Sequence, residues 1–152
     1  MTQSLKTLLE HAEQLRDEGQ LALQQAEAVE RDLQAQAEQL SAYAVEYEGR
    51  HPAREGRLAP IEVLRCHLGF MQRLRQAQAQ QTQQLQAAQA RSAQRRTALL
   101  ALELRVAAVR KLIERRQQEH QRGSQRLEQR RHDDASQQAA WTSRIDMPMS
   151  PF

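Results

Sequence analysis

Aromatic residues are nearly absent from this chain. Two phenylalanines, two tyrosines and one tryptophan make up 3% of 152 residues, and the mean hydropathy is -0.82. A compact core needs large apolar side chains to offset an entropy loss of about 1 to 2 kcal/mol per backbone residue. Much of the apolar fraction is alanine, and the chain is rich in the helix formers Ala, Gln, Arg, Glu and Leu. The composition therefore predicts long helices that bury narrow seams.

Cysteine is scarcer than the aromatic residues, and long apolar runs are missing. The single cysteine, Cys66, excludes an intramolecular disulfide and favours a reducing compartment. We expect its thiol to pack as a small apolar group. No stretch reaches the roughly 20 apolar residues of a membrane span, and the start of the chain has no apolar segment of signal-peptide length. These absences predict a cytoplasmic protein without membrane insertion.

The sequence contains no pattern for catalysis, metal binding or nucleotide binding. Its five histidines are scattered, with no His-x-x-x-His pair on a helix and no cysteine pair. It has no glycine-rich phosphate loop. Acidic and basic side chains on a narrow helical pair stay solvated or form salt bridges. We therefore predict a protein that is not an enzyme, with no catalytic residues, no metal site and no cofactor.

Charge is divided along the chain. Residues 1–49 carry ten acidic and three basic residues, a net charge of -7, and the remainder carries 19 basic and nine acidic residues, a net charge of +10. An acidic helix beside a basic one favours pairing between the two. The positive surplus is free to attract an acidic partner.

Two segments show a heptad pattern of apolar residues. Steps of three and four from Leu5 to Tyr47 predict a helix over about 3–48, and a weaker seam predicts a second helix over about 61–140. Glycines and prolines between them predict a turn at about 49–60. The predicted fold is all-α, a long antiparallel two-helix coiled-coil hairpin over residues 1–142, with helix 2 longer than helix 1. Residues 143–152 are expected to form a disordered tail.

Unequal helix lengths predict an overhang on helix 2. Centring the turn near residue 54 places Leu5 opposite about residue 104, so the last third of helix 2 lacks a partner within the chain. Val106, Val109 and Ile113 continue the apolar stripe into this overhang. An uncovered stripe either binds another protein or pairs within a homodimer.

Phe70 is an isolated phenyl ring in a glutamine-rich helix. Apolar residues of this region fall on two arcs about 110° apart, with Ile61, Leu64, Leu68 and Met71 on one and Val63, Phe70, Leu74 and Ala77 on the other. A single partner helix covers one such arc well. Phe70 is therefore either a partly exposed anchor for a partner or a ring enclosed by a widened seam near the turn.

The surroundings of Phe70 resemble the FliJ family, a small component of the flagellar type III export apparatus. That family has a Phe-Leu-Ala-His pattern early in its second helix. Phe70, Leu74 and Ala77 match it in type and spacing, whereas Gln81 stands where the histidine is expected.

Two further patches are similar to the same family, in the same order. Tyr43, Tyr47 and Arg50 resemble its end of helix 1, where two tyrosines four apart precede a basic residue. The stretch "LEQRRHDDASQQAA" is similar to its C-terminal pattern of acidic, glutamine and basic residues. The resemblance extends over about residues 5–140.

The resemblance implies a cytoplasmic adaptor of flagellar protein export, peripheral to the inner membrane at the flagellar base, that supports flagellum assembly and motility. FliJ proteins form an antiparallel coiled coil, bind the hexameric export ATPase FliI as a stalk, contact the cytoplasmic domain of the export gate protein FlhA, and interact with export chaperones. The implied gate-binding residues are Phe70, Leu74, Ala77 and Gln81, and the implied ATPase-facing overhang comprises Val106, Val109, Ile113, Leu127, Arg130 and Arg131.

Other functions were weighed against this one. Arginine pairs on helix 2 and an isoelectric point near 9.6 would attract nucleic acid. However, stacking aromatics are missing and adjacent arginines point to different sides of a helix, so we predict no nucleic-acid partner. The equivalent stalk of a virulence type III secretion injectisome and a homotypic coiled-coil spacer remain alternatives.

Overall fold

The computed structural model of the protein describes residues 2–53 and 58–146. Two helices account for most of these ranges, α1 at Thr2–Gly49 and α2 at Ile61–Ile145, and no strand occurs within them. The predicted all-α hairpin with a longer second helix is confirmed. Neither helix, over the described residues, has a stretch long and apolar enough to cross a membrane.

The helices end at the turn through local hydrogen bonds. After Gly49, the backbone N–H of Arg50 donates to the carbonyl oxygen of Tyr47 at 3.1 Å, which tightens the last turn of α1. Pro60 precedes α2, and its carbonyl oxygen accepts from Val63 at 3.1 Å and from Leu64 at 3.2 Å. Residues 54–57 of the predicted turn lie outside the described residues.

The far end of α2 extends beyond its predicted limit near residue 140. Residues 143–145, assigned from the sequence to the tail, are helical, and the N–H of Asp146 donates to the carbonyl oxygen of Thr142 at 3.1 Å. Alanines at 139 and 140 favour the helix, and no proline interrupts it before Pro148. The rest of the predicted disordered tail, 147–152, lies outside the described residues.

The chain divides into two units, of which the first comprises residues 10–106. In this unit α1 and α2 run antiparallel. The side-chain amide of Gln81 donates to the carbonyl oxygen of Leu33 at 3.3 Å, and Arg96 pairs with Glu27 at 3.4 Å. The second contact is an ion pair of the kind that the opposite charges of the two helices predict.

Small residues bring the helices of this unit close together. Ala26, Ala88 and Ser92 are buried in the seam. A β-carbon added at Gly19 would lie 2.8 Å from Cδ1 of Leu102, so the leucine side chain occupies the space that the glycine leaves. A large side chain on one helix thus packs against a small residue on the other.

Ser92 is an imperfection in this seam, because its side chain is 1% exposed and its hydroxyl has no hydrogen-bond partner among the described residues. Burying an unpaired polar group costs about 1 to 3 kcal/mol, and alanine forms helix better than serine. We expect Ser92→Ala to raise the free energy of unfolding by about 1 kcal/mol, measured by urea denaturation followed by circular dichroism. Ser41→Ala, at an exposed helical position, is the control, and an equal gain there would contradict the desolvation argument.

The second unit comprises residues 1–9 and 107–152, described over 2–9 and 107–146. Leu5 and Val109 are buried and Ile113 is half-buried, whereas every residue from 114 to 146 is exposed. We call residues 114–145, the part of α2 in which every residue is exposed, the uncovered segment.

The predicted register is wrong in this unit. Leu5 lines a groove together with Ile113 and His120, whereas centring the turn at residue 54 placed Leu5 opposite about residue 104. The heptad pattern fixes which face of each helix is buried, but the axial register depends on which side chains fit together. Ile113 is consequently part of the covered helix.

Candidate partner-binding surfaces

Five rings meet beside the turn, and we call them the aromatic cluster: Tyr43, Tyr47, His51, His67 and Phe70. The ring of Tyr47 lies 4.1 Å from Phe70 and stacks on His67 at 5.6 Å. Tyr43 meets Phe70 edge-on at 6.3 Å, and His51 meets His67 at 4.7 Å. Such ring pairs contribute about 0.5 to 1.5 kcal/mol each beyond their buried area. The cluster therefore holds the end of α1 against the start of α2.

A small apolar core lies under these rings. Ala44, Met71 and Leu74 are buried together, and Tyr47 and Phe70 pack against them. Met71 and Leu74 belong to the two different apolar arcs of α2, and the small side chain of Ala44 lets both arcs approach α1. Phe70 combines features of the two interpretations, since its ring packs against Tyr47 and this core but stays half-buried, so that part of it remains accessible.

The four residues that the sequence assigned to gate binding all lie on the side of α2 that meets α1. Leu74 is buried, with 6% of its side chain exposed, and Phe70, Ala77 and Gln81 are half-buried. Gln81 donates to the carbonyl oxygen of Leu33 and, at 3.1 Å, to Oε1 of Gln36. Two of the four, Leu74 and Gln81, are thus engaged within the hairpin.

Tyr43 is the surface residue that the sequence did not single out for this site. Its side chain is 48% exposed while its ring rests on Phe70 and Tyr47. The sequence does place Tyr43 and Tyr47 one helical turn apart. Their partner on α2 could not be assigned, because that requires the axial register of the two helices. Tyr43 and the accessible edge of Phe70 together offer an aromatic surface to a partner.

Cys66 does not behave as expected. The sequence favoured a thiol packed as a small apolar group, but Cys66 is exposed on α2. Its neighbour His67 takes the inward position and stacks on Tyr47. Because one residue rotates the helix by about 100°, only one of the two neighbours can face α1.

The second surface is the uncovered segment. Of the six residues predicted for an ATPase-facing overhang, Val106 and Val109 are buried and Ile113 is half-buried. The other three, Leu127, Arg130 and Arg131, are exposed in the uncovered segment. Trp141 and Ile145, each 64% exposed, lie in the same segment and were not predicted as site residues.

No three His, Cys, Asp or Glu side chains among the described residues come close enough to hold a metal ion. The ion pair between Arg50 and Glu46, at 2.6 Å, joins two exposed side chains one turn apart at the end of α1. Exposed pairs of this kind contribute little to stability.

Comparison with known proteins places the whole arrangement in one family. A family model described as flagellar FliJ protein matches residues 1–144, which include the aromatic cluster and nearly all of the uncovered segment. No curated protein and no solved structure matches the chain. FliJ proteins are components of the flagellar export apparatus and are not known as enzymes. The resemblance noted in the sequence is confirmed, and the chain belongs to the flagellar FliJ protein family.

Proposed function

We propose that the protein is an adaptor of flagellar protein export that links the export ATPase FliI to the export gate protein FlhA and interacts with export chaperones. It would act at the cytoplasmic face of the membrane at the flagellar base. The observation that carries the proposal is the FliJ match over residues 1–144. The two exposed surfaces described above support it, because an adaptor needs separate contacts for separate partners.

The uncovered segment is the proposed ATPase-facing surface. Most helical stability in proteins comes from tertiary packing, so a partner that covers this segment contributes to its stability. Leu127 supplies an exposed apolar side chain, and Arg130 and Arg131 follow it within about one turn. Between Arg115 and Arg131 the sequence has six arginines and two acidic residues, which favours an acidic contact surface on the partner.

The aromatic cluster is the proposed gate-facing surface. Phe70 and Ala77 are partly accessible and Tyr43 more so, and exposed aromatic rings are common anchors of protein interfaces. Leu74 lies beneath them and supports Phe70 from the core. Gln81, bonded to α1, would contribute by fixing the two helices against each other.

The proposal is tested by adding the purified protein to the FliI ATPase of the same organism. We expect ATP hydrolysis and ring formation to rise together and to saturate near one chain per ATPase hexamer. The physical reason is that a single stalk inside the ring contacts several identical subunits at once. These contacts form only in the assembled ring and therefore favour it, and one asymmetric stalk must make them unequally. Unchanged hydrolysis and assembly, with folded protein and an active ATPase, would contradict the proposal.

A further inference from the structure

We propose that the uncovered segment also pairs with the same segment of a second copy of this chain, antiparallel, about a two-fold axis near residue 132. This inference goes beyond the proposed function and does not rest on it. Three features of the segment, its apolar face, its charges and its length, are compatible with this axis.

The first feature is a row of exposed residues along one face of α2. At 100° per residue, Gly123, Leu127, Trp141 and Ile145 lie within an arc of about 40°. Leu127 is 51% exposed and Trp141 64% exposed. At Gly123 an added β-carbon would meet nothing within 4 Å among the described residues. This face continues the seam of Val109 without a helix to cover it.

Large and small residues on this face are complementary. Gly123 and Trp141 are equally far from residue 132, so an antiparallel pair centred there places each Trp141 over the Gly123 of the other copy. A similar contact between a large side chain and a glycine occurs inside the hairpin, where Leu102 fills the space beside Gly19. Each dimer would contain this contact twice, because a two-fold interface is self-complementary.

The charges near the axis are complementary in the same register. Arg130 and Asp134 are also equally far from residue 132 and lie within about 40° of each other on the helix. Each Arg130 would therefore meet the Asp134 of the other copy, giving two reciprocal ion pairs. A parallel arrangement in register would instead place Arg130 against Arg130, which is unfavourable.

The length of the uncovered segment also fits this axis. With the centre at residue 132, Ile145 of one copy comes beside residue 119 of the other, next to the groove that Leu5, Ile113 and His120 line at the start of α1. The paired region, 119–145, spans about 40 Å and ends where α1 begins to cover α2. It carries five arginines and four acidic residues, so repulsion between copies is small.

The dimer is expected to be weak. Only Leu127, Trp141 and Ile145 contribute large apolar side chains, and interfaces of small area are usually transient. We expect a dissociation constant on the order of 10 to 100 µM. It would form at high local concentration and compete with any partner that covers the same face.

Sedimentation equilibrium and tryptophan fluorescence test the pairing together, because Trp141 is the single tryptophan. Between about 1 and 500 µM, a range that brackets this constant, we expect the mass to rise from monomer toward dimer and the emission to shift to the blue. Asp134→Arg should weaken the dimer at least about tenfold, since it sets arginine against arginine. The double variant Arg130→Asp with Asp134→Arg should restore it, because the pair is reversed but kept.

Glu128→Arg is the matched control. It changes the charge by the same amount as Asp134→Arg, but it lies about 100° or more from Leu127 and Trp141 on the helix. We expect dimerisation of this variant to equal that of the wild type. The proposal would be overturned if the wild type stayed monomeric throughout, or if the double variant dimerised as weakly as Asp134→Arg. It would also be overturned if Glu128→Arg weakened dimerisation as much as Asp134→Arg does.

Discussion

Removal of residues 114–152 is expected to abolish stimulation of the export ATPase while leaving a folded hairpin. Within the described residues, every buried side chain lies at or before Val109, so the uncovered segment contributes nothing to the core. The truncated chain keeps the buried Leu5 and Val109 and the half-buried Ile113, which carry the apolar packing at the start of α1. ATP hydrolysis with and without each protein measures the loss, and circular dichroism with urea denaturation measures the folding of the hairpin.

A second variant distinguishes the loss of specific side-chain contacts from the loss of helix length. Leu127→Ala combined with Arg130→Ala keeps the helix and removes an exposed apolar side chain and a charge from the proposed ATPase-facing surface. We expect stimulation to fall by about tenfold, because arginine is a common interface anchor and the variant also loses the apolar contact of Leu127. Gln118→Ala with Gln125→Ala, also exposed in the uncovered segment, is the control. Full stimulation by the truncated chain would show that the ATPase binds elsewhere.

The hairpin itself could be predicted from the sequence because each of its determinants is local. The 3/4 spacing from Leu5 to Tyr47 defines one helix, the glycines and prolines after residue 48 interrupt it, and a long proline-free stretch after Pro60 defines the other. Scarce aromatics and abundant alanine exclude a broad core. None of these features depends on which residue of α1 contacts which residue of α2.

The register could not be predicted, because it depends on long-range fit. Gly19 accepts Leu102, and Ala44 accepts both Met71 and Leu74, and neither pairing is visible in the periodicity of one helix. A symmetric turn was therefore assumed, and the covered part of α2 was predicted too short. The environment of Phe70 stayed open for the same reason.

Separate substitution of Phe70 and Leu74 is expected to distinguish gate contact from hairpin stability. Leu74 is buried, so Leu74→Ala should lower the free energy of unfolding by about 2 to 3 kcal/mol, near the lower end for buried leucines because the core is small. Phe70 is half-buried but packs against Tyr43, Tyr47 and the core, so Phe70→Ala should lower it by a similar amount. Urea denaturation of both variants measures the two losses.

Binding to the cytoplasmic domain of FlhA should distinguish the two variants. At a temperature where both variants are folded, Phe70→Ala removes a partly accessible ring from the proposed gate-facing surface, and we expect binding by calorimetry to weaken about tenfold. Leu74→Ala should bind nearly as well as the wild type, because its side chain lies under that surface. Tyr43→Ala should weaken binding with little loss of stability, since its ring is the most exposed of the three.

Export in cells supplies the final distinction, because it responds to both stability and contact. Adding Ser92→Ala raises the stability of the hairpin from within the seam, well away from the aromatic cluster in sequence. It should partly restore motility to Leu74→Ala, which loses stability alone. It should restore less motility to Phe70→Ala, which also loses a side chain of the proposed gate-facing surface. If Ser92→Ala rescued both variants equally, Phe70 would act only through the fold, and the gate would have to bind another part of the chain.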